Sequence, residues 1–200
     1  LHASYRRQRQ MCIRDRMVIA PAHHRRIQAG ILSWGQDLDH EHNPFQCNLG
    51  YQVSLSGKGE WAKKGDYIGK QALEKMKADL KDGHKPYKLQ LVGFEIGGKP
   101  IDEYAPDFWL VSPGDGGDPC GFITSPWYHP EKGKNIAMGY IPFDGTLNPN
   151  GFPKWELGKK FKVHLPDIYA DEPGVPVDAV TVDVPFTESF NANTREVVKG

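Results

Sequence analysis

Candidate chemistry is concentrated in the stretch SWGQDLDHEHNPF, at positions 33–45 of the 200-residue chain. Five titratable side chains lie there within six positions: Asp37, Asp39, His40, Glu41 and His42. Neutral imidazoles are good ligands for zinc or iron. Two neighbouring carboxylates can instead act as a general acid and a general base. The stretch therefore raises three alternatives: a metal site, an acid–base site, or a loop that walls the site of an organic cofactor.

The sequence favours a loop over a metal site. No second cluster of histidine, cysteine or carboxylate residues supplies further ligands at a recognisable spacing. Asn43-Pro44 directly follows the histidines and favours a turn. Carboxylates that alternate along a loop, such as Asp37 and Asp39, are usually solvated or cap the turn. We therefore predict no metal site, and we expect both aspartates to be solvated or capping groups rather than catalytic ones.

Arg25, Arg26 and Trp34 suggest a different kind of site. A guanidinium on a helix can hold a carboxylate or a carbonyl edge through two parallel hydrogen bonds. An indole a few positions later can stack on a flat ring or close a pocket. The alternative is an exposed arginine pair beside a core tryptophan. The residues alone leave both interpretations open.

Two helices and a loop are predicted to position these side chains. Residues 19–32 fit a short helix with Ile27, Ile31 and Leu32 on one apolar face. Residues 34–50 lack a period and predict a long ordered loop. Residues 48–55 (NLGYQVSL) are strand-like, and a polar turn follows at 57–66.

The second helix is the clearest element of the sequence. It is predicted over 66–83, where Leu73, Met76 and Leu80 recur at helical spacing. Asp66 is a candidate N-cap and Gly83 a candidate C-terminal stop.

Beyond position 88 the pattern changes to short strands separated by Gly, Pro, Asp and Asn. Within the last run, Val180, Val182, Val184 and Phe186 alternate with other residues, as in a half-buried strand. Repeated short strands predict a small antiparallel barrel. The fold class is thus α+β, with a short α/β segment followed by a small antiparallel β-barrel. Five runs are predicted as strands: 88–96, 119–125, 135–142, 160–166 and 179–186.

Four segments are predicted along the chain. Residues 1–16 are rich in arginine, have no period and resemble translated adapter sequence, so we interpret them as non-native. Residues 17–86 hold the helices, residues 87–190 the barrel, and residues 191–200 a polar, loose tail.

Composition excludes several classes of function. The 25 basic residues balance the 25 acidic ones, which argues against a nucleic-acid partner. No apolar run approaches the length of a membrane span. Cys12, Cys47 and Cys120 are too widely and irregularly spaced for a disulfide framework or a zinc motif. With no secretory signal at the start, a cytoplasmic location is expected.

Four segments together resemble the glycine-cleavage T-protein superfamily of folate-dependent aminomethyltransferases. They are RRIQAGILSWGQDLDHEHNPFQCNLGYQV, DYIGKQAL, GFITSPWYHPEKGKNIAMGYIP and VDVPF. The resemblance runs over residues 24–190 and covers the C-terminal half of the family. Residues 17–86 then correspond to the end of the folate-binding core domain. SWGQDLD and Asn43-Pro44-Phe45-Gln46-Cys47 are most similar to the dimethylsulfoniopropionate demethylase branch.

The resemblance implies an enzyme that uses tetrahydrofolate as cofactor and one-carbon acceptor. In the demethylase branch, the folate N5 attacks the methyl group of a sulfonium, and the protein mainly positions the partners and handles charge. Arg26 matches a family arginine that contacts folate or substrate. Trp34 stands where the family has tyrosine, beside the pterin. Phe190 lies near the position of a C-terminal aromatic that closes the site.

Several family features are changed or lie elsewhere. Gln28 replaces a glutamate, and Pro126-Trp127 interrupts a Ser-Gly pair. The catalytic aspartate is expected in an N-terminal half that precedes this chain in the parent protein, so the fragment alone is expected to be inactive. If that half is removed, Ile27, Ile31 and Leu32 are expected to leave an apolar face exposed.

The most favoured activity is demethylation of dimethylsulfoniopropionate, with a small-molecule methyl donor, the missing half and a possible second copy as partners. Glycine-cleavage aminomethyl transfer and aryl-methyl-ether demethylation are alternatives. A non-enzymatic folate-binding protein is an alternative of another class.

Overall fold

The computed structural model describes residues 23–53, 55 and 67–186. Two helices precede six strands. Helix α1 spans His23–Gln28 and helix α2 spans Lys70–Lys81. The strands are β1 (Leu89–Ile96), β2 (Trp109–Pro113), β3 (Gly121–His129), β4 (Lys134–Pro142), β5 (Lys160–Val163) and β6 (Val177–Val182).

The six strands form a closed antiparallel barrel in the order β1-β4-β3-β2-β5-β6, with β6 pairing back to β1. Side chains from all six strands fill its interior, including Val92 of β1, Val111 of β2 and Val163 of β5, none of which is exposed to solvent. The predicted α+β fold class with a small antiparallel barrel is therefore confirmed.

Strand β4 is buried on both of its faces, because α1 covers the barrel there. Residues Asn135 to Ile141 are all buried. Alternate residues such as Ala137 point into the barrel, whereas Met138 and Tyr140 pack outside it against Ile27 of α1. A strand covered on both faces reads as a continuous apolar run rather than an alternating one. This contact places the end of α1 directly beside β3.

The first helix is shorter than the sequence predicts. It ends at Gln28 because Gly30 adopts a left-handed φ of 67°, and Ile31 N–H then bonds back to the Arg26 carbonyl at 2.8 Å. This is the glycine C-terminal stop of a helix. Positions 19–22 lie outside the described residues.

The predicted strand at 48–55 is wrong. Asn48 takes a φ of 60°, and Gly50–Gln52 form a 3₁₀ turn. The Asn48 amide donates to the Leu91 carbonyl at 2.8 Å, so its side chain ties the turn to the barrel. Residues 54 and 56–66, with the predicted polar turn and the Asp66 cap, lie outside the described residues, and the described N-cap of α2 is Gly69.

The predicted face of α2 is confirmed. Leu80 is buried, and Leu73 and Met76 pack beside it against Phe45.

Strand β2 was missed, and β6 is displaced. Pro106 lies just before this strand and Pro113 ends it, so the run is too short to show a clear alternation of apolar residues. The last strand ends at Val182, and its barrel-facing residues are Val177, Ala179 and Thr181. Val182 and Val184 instead pack against the cluster under α1. The predicted alternation of valines is present, but Val182 and Val184 lie on the outer face of the barrel rather than in its interior.

No helix among the described residues has the length and apolar character that crossing a bilayer requires.

The barrel interior makes a direct stability prediction. Ile123→Ala removes a side chain that is 1% exposed in the interior cluster, and it should lower the free energy of unfolding by about 2–5 kcal/mol. Leu110→Ala, on the outside of the neighbouring strand and 52% exposed, should change it by less than about 0.5 kcal/mol. Urea denaturation followed by circular dichroism measures both, and equal losses would contradict the assigned interior.

Candidate functional site

The 33–38 turn is held between α1 and β3 by a buried carboxylate. Asp37 is 1% exposed, and each of its two carboxylate oxygens accepts two hydrogen bonds. Oδ2 accepts from Arg26 Nη1 at 2.8 Å and from the Ser33 N–H at 2.8 Å. Oδ1 accepts from the hydroxyls of Thr124 at 2.6 Å and Ser125 at 2.5 Å. The expectation that Asp37 is solvated or merely caps a turn is therefore wrong.

An irregularity in β3 delivers the two hydroxyls to one carboxylate. Consecutive strand residues normally point to opposite faces. The register between β3 and β4 shifts between Ile123 and Ser125, and such a bulge re-aims the side chains around it. Thr124 and Ser125 are consequently both buried on Asp37.

All five N–H groups of Arg26 have acceptors within the protein. Nη1 donates to Asp37 and to the Ile31 carbonyl at 3.3 Å, and Nη2 donates to Gln36 Oε1 at 3.0 Å and Ser125 Oγ at 2.8 Å. Nε reaches His23 Nδ1 at 3.4 Å, the longest of the five. The predicted grip on a carboxylate exists, but the carboxylate belongs to Asp37. A contact between Arg26 and a ligand stays a prediction.

Trp34 projects from this turn into solvent. Its side chain is 68% exposed, so the core alternative raised for this indole is wrong. Gly35, with a φ of 81°, makes the bend that follows it, and its N–H donates to the Leu38 carbonyl at 2.8 Å. Arg26 and Trp34 are thus brought to the two sides of one anchored turn. Phe190, the third predicted contact, lies outside the described residues.

A second contact, from strand β4, fixes the turn on the barrel side. The Tyr140 hydroxyl donates to the Asp37 carbonyl at 2.7 Å, and Cys47 Sγ lies 3.4 Å from the same hydroxyl. Burial raises the pKa of Tyr140 and of the Cys47 thiol, so both stay protonated at neutral pH. Phe45 is completely buried. The Asn-Pro-Phe-Gln-Cys segment therefore shapes the turn from inside the protein.

The histidines of the stretch do not converge on a metal centre. His40 is exposed, and His42 Nδ1 lies 2.8 Å from Asp39 Oδ1. The described residues include no cluster of three or more His, Cys, Asp or Glu that could hold a metal ion. The Glu41 backbone N–H and then the His42 side chain lower the pKa of Asp39. Asp39 thus caps a turn, as predicted.

Aromatic side chains flank the start of α1. The His23 ring stacks on Trp127 with a centroid distance of 6.0 Å and lies 4.8 Å from the ring of Tyr104. Pro126 pairs with Ala137 inside the sheet, so β3 continues through the Pro-Trp pair that departs from the family pattern. Trp127 uses its place there to pack beside α1.

The expected apolar face of α1 is only partly exposed. Ile31 is open to solvent, but Ile27 is buried against the barrel and Leu32 packs beside it.

One cavity lined by described residues lies away from this turn. Its volume is about 300 Å³, and Phe45, Tyr51, Phe152 and Trp155 contribute its aromatic wall. Neither Arg26 nor Trp34 lines it. The turn is an exposed surface with a rigid base rather than a closed pocket.

Sequence reasoning missed the partners of Asp37, although a signal existed. Thr124 and Ser125 stand in the third segment that carries the family resemblance, as the Thr-Ser pair of GFITSPW. Gln36 and Tyr140 gave no such signal, because a polar loop residue and a strand tyrosine are common. Gln36 nevertheless donates to the Thr124 carbonyl at 2.8 Å and strengthens the same junction.

Comparison with known proteins finds similarity to aminomethyltransferases. The chain is 32% identical over 117 residues to an aminomethyltransferase of Synechocystis sp., covering 58% of this chain and 27% of that protein. It is 29% identical over 162 residues to the aminomethyltransferase of Thermosynechococcus vestitus, covering 80% and 35%. No protein-family model matches. The chain is therefore similar to part of the length of enzymes named aminomethyltransferases, a methyltransferase-type family.

A solved structure shows the same fold. The glycine cleavage system aminomethyltransferase T from Bartonella henselae superposes with a TM-score of 0.55 at 20% identity, over 82% of this chain and 37% of that one. The chain thus matches between 27% and 37% of the length of these proteins.

The environment of His23 predicts a pH dependence of stability. Burial, and next the charge of Arg26, lower the pKa of His23, against a smaller opposing effect of Asp37. A histidine with a lowered pKa binds its proton more readily in the unfolded chain, so stability is full above about pH 6.5 and falls as the pH drops below it. Urea midpoints measured from pH 8 to pH 5 should decrease.

The control separates His23 from the other histidines. His23→Gln keeps an acceptor for Arg26 and should flatten part of this decrease. His84→Gln, at an exposed position, should leave it intact. An unchanged pH profile in His23→Gln would contradict the assignment.

Proposed function

We propose that this chain is part of a tetrahydrofolate-dependent one-carbon transferase of the aminomethyltransferase type. The observation that carries the proposal is the sequence similarity to aminomethyltransferases, supported by the shared barrel fold. The Arg26–Asp37 turn adds a physical argument, because it presents an exposed indole on a rigid base beside β3.

The described residues fit the folate cofactor in one respect. Trp34 offers a flat, solvent-exposed ring on which a pterin can stack. Arg26 supports this surface from the α1 side, and Phe190 is proposed to close it. Tetrahydrofolate, when bound, accepts the one-carbon unit. The chain's own contribution is to orient the ring and to keep the surface in place, which is how enzymes gain rate by positioning.

The catalytic aspartate is proposed to come from the part of the parent protein that precedes this chain. The exposed side chains of Ile31 and Trp34 support this, because a neighbouring domain would cover them. A second copy of the chain is the alternative cover. Transfer would then take place between this surface and the covering domain, with a small-molecule methyl donor.

Dimethylsulfoniopropionate is the proposed methyl donor. The support is the similarity of SWGQDLD and of Asn43-Pro44-Phe45-Gln46-Cys47 to the demethylase branch. Phe45 and Cys47 are buried, so this segment would act on the substrate through the shape of the turn. Glycine-cleavage aminomethyl transfer, which the similarity to aminomethyltransferases favours, is the second candidate, followed by aryl-methyl-ether demethylation.

Folate binding is tested at Trp34. Stacking of an aromatic side chain on a nucleobase is worth about 1–3 kcal/mol, so Trp34→Ala should weaken tetrahydrofolate binding by about 5- to 150-fold. Trp34→Phe should retain most of the affinity. Isothermal titration of the purified parent protein and its variants measures the dissociation constants. Ile168→Ala, at an equally exposed position (67%), serves as the control and should change nothing.

Failure of the unmodified parent protein to bind tetrahydrofolate would overturn the folate proposal itself. Binding that survives Trp34→Ala unchanged would instead move the site elsewhere on the chain.

The substrate is tested in the parent protein. With tetrahydrofolate, it should demethylate dimethylsulfoniopropionate faster than a methoxy-aromatic compound, and it should not process the aminomethyl intermediate of glycine cleavage. The 200-residue chain alone should show no turnover of the sulfonium. Turnover by the chain alone would contradict the proposed division of the active site.

A further inference from the structure

The side chain of Asp37 is completely buried, whereas that of Arg26, its ionic partner, retains 17% exposure. A buried charge is costly unless it is paired and hydrogen-bonded. Here the carboxylate has four donors, one of which is the backbone N–H of Ser33. Removing the carboxylate would take from Arg26 and from two buried hydroxyls the acceptor that they share. The pair is therefore a fixed feature of the folded state.

The network holds the turn at both of its ends. The Asp37 side chain binds Ser33 at the start of the turn, and the Asp37 N–H donates to the Ser33 carbonyl at 2.9 Å. The Asp37 carbonyl is held by Tyr140. Trp34 lies inside this short ring and forms an isolated bridge with Leu38. Its backbone thus has fixed points on either side.

The geometry points to Asp37 as a positioning residue: its buried carboxylate clamps the 33–38 turn to α1 and to the bulge of β3, and thereby sets the direction in which Trp34 leaves the surface. Arg26 belongs to the same hydrogen-bond network, since all of its N–H groups donate to acceptors within the protein. The link to ligand binding rests on the proposed folate function, but the effect on Trp34 does not.

Asp37→Asn tests the clamp with minimal change in shape. The amide keeps one acceptor oxygen, but it loses the charge and places an NH₂ group among groups that need acceptors. Tetrahydrofolate affinity should fall about tenfold or more. Asp178→Asn is the matched control, because Asp178 forms a 2.7 Å ion pair with Lys162 but is itself exposed. It should leave the affinity unchanged.

A second measurement needs no ligand and separates positioning from loss of stability. In chains labelled with 5-fluorotryptophan, the ¹⁹F signal of Trp34 is assigned with Trp34→Phe. Asp37→Asn should shift and broaden that signal, while the signals of Trp109 and Trp155 stay unchanged. General destabilisation would alter all of them. If Trp34 and the folate affinity both remain as in the unmodified chain, the inference is wrong.

Two further variants keep the test decisive. If Asp37→Asn does not fold, Thr124→Ala with Ser125→Ala removes two neutral donors while keeping the ion pair, and it should shift the Trp34 signal in the same direction. In the background Arg26→Gln, Asp37→Asn should add little, because both changes open one network. Fully additive effects would overturn the shared clamp. An unmodified parent protein that binds no tetrahydrofolate would refute the folate function, whereas the Trp34 signal would still decide the positioning role.

Discussion

A carboxylate without access to water has to be neutralised by the groups around it, and the site depends on how Asp37 meets this requirement. Its partners come from separate parts of the chain: Arg26 from α1, Ser33 from the turn, and two hydroxyls from β3. None of these groups could be moved far without leaving a buried polar atom unpaired. The ion pair therefore couples the helix, the turn and the barrel into one rigid junction.

That junction is possible only because the barrel buries side chains on two surfaces, its interior and part of its outer face. Its interior is filled by its own strands, while β3 and β4 also bury their outer faces under α1 and the loop that follows. Phe122 and Tyr140 pack together there at a centroid distance of 5.3 Å. The apolar floor excludes water from the carboxylate, and the bulge in β3 supplies the hydroxyls. Strand β3 therefore contributes both to the apolar packing under the turn and to the hydrogen bonds of Asp37.

The sequence predicts an element correctly where that element packs on a single surface, because its apolar residues then recur at a regular spacing. The stripe of Leu73, Met76 and Leu80 and four of the strand runs were recognisable because each element has a clear apolar face or a bounded apolar run. Strand β2 escaped because prolines flank it, and 48–55 was misassigned because Asn48 takes a left-handed conformation that only its contact with Leu91 explains.

The site was predictable in part. Arg26 and Trp34 were identified from residue type and from resemblance, and the structure brings them to one turn. The role of Asp37 was not predictable, because its burial depends on hydroxyls 87 and 88 positions away. A sequence window around Asp37 is dominated by polar residues and therefore indicates a solvated loop.

The closed barrel also limits how this unit can meet other proteins. Each of the six described strands has a neighbouring strand on both sides, so none is an edge strand over its whole length. Strand pairing on both sides is incomplete only at strand ends such as residues 89–92 of β1 and 125–129 of β3. A protein that adds a strand to the barrel would therefore find only short segments to pair with, and most of its contacts would be with side chains on the loops and outer faces. A change of partner would then require mainly substitutions at the surface.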